Sequence, residues 1–168
     1  MIISPPCADG WLIHLEGKNR MNSNLLTPVA QRLLSSNIPA RLAFVGANGD
    51  PHVAPIWFLW RHKRFLLCSR ANGFKVKAIR KQPRVALSID SETPPYESLR
   101  VRGIAEIEVI DGIPVEYVEC ANRYYGNEKG QQWIDWVRNS TNQMARISVM
   151  PDWVEAHDFR ERFPQIFG

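Results

Sequence analysis

The segment RLAFVGANGDPHVAPIWFLWRHKRFLLCS, which spans Arg41–Ser69, contains three apolar runs separated by two short polar turns. Asn48-Gly49 is the strongest short hairpin signal, because both residues tolerate the positive φ angles of a type I′ turn. A return strand is predicted over His52–Trp60, and a second reversal at Arg61–Lys63 leads into a third strand, Arg64–Ser69. Connections this short join antiparallel neighbours. The segment therefore predicts an antiparallel meander.

The chain on either side of this segment predicts three further strands and three helices. Helices are expected to begin at Thr27-Pro28, Gly73 and Pro114, and strands are expected at 84–90, 98–109 and 144–149. Gly103 lies inside the longest of these strands and permits a bend or a close approach by another backbone or a ligand. The order lacks the βαβ alternation of a parallel sheet. We predict a single mostly β domain over residues 1–168, a six-stranded antiparallel barrel with attached helices, since closure removes exposed edges.

Composition limits the class of protein. A chain of 168 residues with 45% hydrophobic residues can bury a substantial core. No apolar run approaches the ~20 residues that cross a bilayer, and residues 1–21 lack the continuous apolar stretch of a signal peptide. These features predict a soluble cytoplasmic protein with no membrane partner.

The cysteines and histidines show no pattern of a disulfide framework or a metal site. The three cysteines are far apart, which predicts reduced thiols. The four histidines show neither HxxxH nor HxH spacing, so we predict no metal. The residues concerned are Cys7, Cys68, Cys120, His14, His52, His62 and His157.

The net charge of +4 is concentrated in one part of the chain. From Arg61 to Arg84 there are nine Lys or Arg residues and no Asp or Glu. Ser69 ends a strand within this stretch, and a helix carrying Lys75 and Lys77 begins shortly afterwards. Hydroxyl and amide donors with positive charge at a helix start are what a phosphate group requires. A solvated basic loop is the alternative interpretation.

Pro55 interrupts a run that otherwise has strand character. Because proline cannot donate to a ladder, it belongs at an edge, at a bulge, or where the backbone faces something other than a strand. A planar ring lying against this strand would use the free amides of Ile56 or Trp57, although an ordinary edge strand with Trp57 in the core fits equally well. Cys68 has apolar neighbours and is interpreted as a small buried hydrophobe rather than a nucleophile.

Five short motifs in a fixed order carry a family resemblance. The motifs are GDPHVAPIW (49–57), Cys68-Ser69 with Lys75, KAI (77–79), QPRVAL (82–87) and VRGIAE (101–106). With them, the chain from about Thr27 to Val154 resembles the pyridoxamine 5′-phosphate oxidase-like superfamily, also called FMN-binding split barrels.

This resemblance implies a homodimeric split β-barrel whose second subunit completes the cofactor pocket. It places the flavin ring against the strand that ends at Trp57 and the phosphate near Ser69 and Lys75. The cofactor-binding residues implied in this way are His52, Ala54, Pro55, Ile56, Trp57, Cys68, Ser69, Arg70, Lys75 and Lys77.

The sequence departs from pyridoxamine-phosphate oxidase proper near the C-terminus. That enzyme carries a Trp followed by an Arg-x-His element for its substrate's phosphate. Here His157 stands about where the Trp would be, and Phe163–Gln165 offers no such element. We therefore expect a substrate other than a vitamin B6 phosphate.

The predicted function is that of an FMN-dependent oxidoreductase acting on a small molecule, in which the flavin performs the redox chemistry. No residue is singled out as a catalytic acid or base. One alternative keeps the fold and replaces FMN with the deazaflavin F420, and another is a haem-binding split barrel. A module that binds single-stranded nucleic acid ranks below these, although aromatic residues near a basic patch on a small barrel are typical of such modules.

Overall fold

The computed structural model describes the backbone of residues 23–162 and the side chains of residues 23–160, so that Cys7, His14 and Phe163–Gln165 lie outside it. Seven strands form one antiparallel sheet in the order β2-β1-β5-β6-β7-β4-β3. The strands are β1 Ala40–Val45, β2 Pro51–Ile56, β3 Phe58–Arg61, β4 Arg64–Arg70, β5 Arg84–Asp90, β6 Glu97–Asp111 and β7 Gln143–Asp158. The helices are α1 Pro28–Ser35, α2 Phe74–Lys81, α3 Val115–Tyr125, α4 Asn127–Ser140 and the short α5 Phe159–Arg162. None of the helices in this part of the chain is long and apolar enough to span a bilayer.

The sheet closes on itself at Trp57. The predicted single strand 52–60 is divided there into β2 and β3, which is why seven strands are present instead of six. β2 pairs with β1 and β3 pairs with β4, so the two halves lie at opposite ends of the strand order. Since one residue joins the two end strands, the sheet must curl until its ends meet. The mostly β prediction is confirmed. The predicted meander is not continuous, because β2 and β3 lie at opposite ends of the strand order and form the seam of a barrel.

β6 and β7 form the longest pairing of the sheet, and Gly103 lies in the middle of it. The strand predicted over 144–149 is longer in the structure, where β7 continues through Pro151 to Asp158. A bulge makes this possible: Arg102 lies opposite Trp153 whereas Gly103 lies opposite Pro151, and proline is tolerated at bulges. A Cβ atom on Gly103 would lie 2.2 Å from the carbonyl oxygen of Met150. The predicted close backbone approach at Gly103 is thereby confirmed.

The helices α3 and α4 form a hairpin beside β3 and β4. Gly126 joins them with a φ of 80°, a left-handed conformation that favours glycine. Arg123 anchors the hairpin, since its guanidinium donates to the carbonyl oxygens of Phe58 and Leu34, each at 3.2 Å, and to that of Ser36. The helix predicted to begin at Pro114 is present as α3, with Pro114 as its N-cap residue, whereas α4 was not predicted.

Candidate functional site

A cleft of about 450 Å³ lies beside the seam of the barrel, between β2, β4 and the α3–α4 hairpin. Seven of the ten predicted cofactor residues line it: Pro55, Ile56, Trp57, Cys68, Ser69, Arg70 and Lys75. The other lining residues are Pro39, Tyr117, Trp133, Trp136, Val137, Ser140, Thr141 and Met144. The structure therefore brings the interrupted strand and the basic segment together in one place.

Three predicted residues lie outside the cleft. Ala54 packs against the barrel core. His52 is on the same face as Ala54, with its ring centroid 5.4 Å from that of Phe44 and 4.9 Å from that of Phe74. Lys77 is exposed on α2 and does not line the cleft.

The basic end of the cleft is formed by the end of β4 and the start of α2. Gly73 is the N-cap residue of α2 and provides no side-chain cap, so the amides of the first helical turn keep their capacity to bind an anion. Lys75 is half-buried and burial lowers the pKa of its ammonium group. In the part of the chain with described side chains, Lys75 and Arg70 have no carboxylate partner. A half-buried ammonium without a counter-charge beside uncapped amides favours an anionic ligand.

The opposite end of the cleft is aromatic and uncharged. The ring centroid of Trp57 lies 5.6 Å from that of Tyr117 and 6.1 Å from that of Trp133, and Trp136 lies 5.1 Å beyond Trp133. Tyr124 stacks on Trp57 with centroids 5.3 Å apart. Apart from Arg70 and Lys75, the lining residues carry no charge. Such a surface suits a flat conjugated ring system.

Two groups in the cleft stay protonated near neutral pH. Burial raises the pKa of Cys68 to about 12, so its thiol is not a nucleophile, in agreement with its predicted apolar role. Burial also raises the pKa of Tyr117, whose hydroxyl oxygen accepts a hydrogen bond from Trp133 Nε1 at 2.9 Å. The Tyr117 phenol is therefore neutral.

The side chains that α4 contributes to the cleft were not predicted from the sequence. Trp133, Trp136, Val137 and Ser140 stand at positions i, i+3, i+4 and i+7, which places them on one face of a helix. This helical spacing is the sequence signal that could have identified these residues as one face of a helix.

A comparison with protein families agrees with this arrangement. The sequence model of the pyridoxamine 5′-phosphate oxidase family matches residues 26–156, which is most of the chain. The chain belongs to this family. The resemblance stated from the motifs is thereby confirmed. No curated protein sequence matches the chain.

Solved structures show how widely the fold of this oxidase family is shared. An F420 reductase is 24% identical, with a TM-score of 0.60, and the match covers 74% of this chain and 94% of that one. A conserved hypothetical protein from Mycobacterium tuberculosis is 19% identical, with a TM-score of 0.62 and coverages of 84% and 91%. A haem storage protein from Vibrio cholerae is 14% identical, with a TM-score of 0.57 and coverages of 79% and 94%. These likenesses show the shared fold.

Proposed function

We propose that the protein is an FMN-binding oxidoreductase that acts on a small molecule. The observation that carries the proposal is the polarity of the cleft. At one end lies the half-buried Lys75, which has no carboxylate partner among the side chains of residues 23–160, and at the other end lie uncharged aromatic side chains. FMN has the same polarity, since a phosphate and a flat conjugated ring stand at its two ends. Membership of the oxidase family supports a flavin-type cofactor.

Each part of the cleft has a separate task in this proposal. Lys75, the Ser69 hydroxyl and the first amides of α2 bind the phosphate. β2 is an end strand of the sheet, so amides that point away from β1 are free to bond to the ring. The bound flavin supplies the redox chemistry, whereas the protein binds and orients it.

The test is a titration of the purified apoprotein with FMN and with riboflavin, which lacks the phosphate. We expect FMN to bind at least about tenfold more tightly, because charge-assisted hydrogen bonds contribute about 1.5 to 3 kcal/mol each. Equal affinities, or no binding of either compound, would contradict the proposal. The absorption spectrum of protein purified from its native host identifies the bound cofactor as FMN, F420 or haem.

F420 is the second candidate cofactor. Lys77, Arg80 and Lys81 are exposed on α2 beyond the basic end of the cleft, where the longer acidic tail of F420 would find counter-charges. The similarity to an F420 reductase supports this alternative. Tighter binding of F420 than of FMN in the same titration would favour it.

A vitamin B6 phosphate is not the substrate that we propose. Its phosphate would need a free basic group near the C-terminal part of β7. Arg160 is the candidate with a described side chain, but its guanidinium lies 2.7 Å from Glu97 Oε1 and 2.8 Å from Asp158 Oδ2. This arginine is already engaged by two carboxylates.

We also propose a homodimer that is formed through the outer face of the sheet. One row of paired positions crosses five strands on this face: Val53, Ala43, Ala86, Arg102 and Trp153. Because its middle positions are alanines, the row forms a groove of about 590 Å³ between Val53 and Trp153. Val53 is 68% exposed, which is unusual for valine in a strand. A second copy of the chain would cover this groove.

Sedimentation is expected to give twice the chain mass of 19.3 kDa. Ala86→Arg would place a long charged side chain in the middle of the groove and is expected to yield monomers with weakened FMN binding, since the partner is proposed to complete the pocket. Asn139→Arg adds the same side chain on the exposed face of α4 and should leave the dimer intact. A wild-type monomer that binds FMN tightly would refute the shared pocket.

A further inference from the structure

The aromatic end of the cleft contains one hydroxyl group whose proton has no partner. An indole N–H can only donate, so the 2.9 Å contact fixes Trp133 Nε1 as the donor and the Tyr117 oxygen as the acceptor. The phenolic proton of Tyr117 is then left to donate to another group. Among residues 23–160 the structure gives it no acceptor.

The other hydroxyl groups at this end are already satisfied by backbone carbonyls. Ser140 Oγ donates to the carbonyl of Trp136 at 2.9 Å, and Thr141 Oγ1 donates to that of Gln143 at 2.8 Å. Ser69 belongs to the opposite, basic end. Tyr117 therefore stands apart as a directed donor beside the aromatic side chains of the cleft.

We propose that Tyr117 donates a hydrogen bond to a ring carbonyl or ring nitrogen of the bound flavin, and that Trp133 is the positioning residue that orients it. The ring subsite is then formed by the α3–α4 hairpin together with β2, rather than by the strand alone. This inference rests on the proposed function, because it assigns the ring end of the same ligand. It adds a binding residue that the family motifs in the sequence do not contain.

The Tyr117 hydroxyl and the edge of the flavin ring are complementary as hydrogen-bond donor and acceptor. The raised pKa keeps Tyr117 a neutral phenol and hence a donor. Oxidised flavin presents carbonyl oxygens and unprotonated nitrogens along one edge of its ring. The reduced ring is richer in electrons, so a hydrogen-bond donor stabilises it more than the oxidised ring and raises the reduction potential.

The test uses lumiflavin, which is the flavin ring without the ribityl phosphate, and compares Tyr117→Phe with the wild type. Loss of one neutral hydrogen bond is expected to weaken lumiflavin binding by about threefold to tenfold. The reduction potential of bound FMN is expected to become more negative. Tyr96→Phe is the matched control, since it makes the same change at an exposed tyrosine that does not line the cleft. This variant should leave lumiflavin affinity and FMN potential unchanged.

Trp133→Phe provides a second measurement, because it removes the indole donor and keeps Tyr117. A smaller loss of lumiflavin affinity and a potential shift of the same sign are expected. The role of Tyr117 is overturned if both Tyr117→Phe and Trp133→Phe bind FMN with unchanged lumiflavin affinity and an unchanged reduction potential of the bound FMN. In that case the proposed function still stands. If the wild type binds neither FMN nor lumiflavin, the proposed function itself fails.

Discussion

Lys75→Ala is expected to weaken FMN binding by about tenfold to a hundredfold, while riboflavin binding changes by less than about twofold. The physical reason is that a half-buried ammonium without a carboxylate partner contributes about 1.5 to 3 kcal/mol to a charge-assisted hydrogen bond, and riboflavin has no phosphate to receive it. Ser69→Ala is expected to act in the same direction. Titration of each apoprotein with both ligands, followed by flavin fluorescence, measures the effect.

Lys77→Ala is the matched control for this prediction. The residue carries the same charge and lies on the same helix two positions further on, but it is exposed and does not line the cleft. Its replacement should change FMN affinity by less than about twofold. Equal losses of FMN and riboflavin in Lys75→Ala would show that the phosphate site is misplaced.

Gly103→Ala is expected to lower the free energy of unfolding by about 3 kcal/mol or more. The added Cβ would lie 2.2 Å from the carbonyl oxygen of Met150 and 3.1 Å from Val149 Cγ1, so β6 and β7 would have to separate at the bulge. Overpacking alone usually costs about 1 to 3 kcal/mol, and here the clash is with backbone that cannot rotate away. Urea unfolding followed by circular dichroism measures the change.

Gly112→Ala is the comparison for this prediction, because it makes the same chemical change where space is open. Its φ of 78° imposes strain of about 1 to 2 kcal/mol, but no atom lies within 4 Å of the added Cβ. If Gly103→Ala destabilises the protein no more than Gly112→Ala does, the close approach of the two strands is not a determinant of stability.

Most of the strands were identified from the sequence, because strand character is determined by side chains that are close together along the chain. Arg84–Asp90 matches β5 at both ends, and the Thr27-Pro28 signal is realised as the cap and first residue of α1. Such features depend on side-chain alternation and on capping, which a few neighbouring residues determine.

The division at Trp57 could not be predicted in the same way. Apart from Pro55, the run from His52 to Trp60 has strand character throughout. Whether its two halves pair with one neighbouring strand or with two is decided by how the whole sheet curls. The continuation of β7 through Pro151 has a similar cause, since the bulge that tolerates this proline exists only in the pairing with Gly103. Both features are set by tertiary structure.

The candidate site was predicted in part. The family motif placed consecutive residues of one strand at the cofactor, but only its last residues, 55–57, line the cleft, whereas His52 packs beside Phe44 and Ala54 packs against the barrel core. Four of the residues that were missed come from α4 and Tyr117 comes from α3, and both helices lie outside every motif used for the resemblance.

If the cleft binds the proposed cofactor, the barrel seam at Trp57 would link cofactor occupancy to the integrity of the fold. One covalent linkage joins the two end strands of the sheet, and a ligand in the cleft would contact groups on both sides of it. Binding only to the closed form stabilises that form by RT ln(1 + [L]/Kd), about 2.7 kcal/mol when the ligand is at a hundredfold excess over Kd. Amide protons on either side of the seam would then exchange with solvent more slowly in the loaded protein than in the apoprotein. In a cell, the supply of cofactor would set how long each newly made chain survives proteolysis.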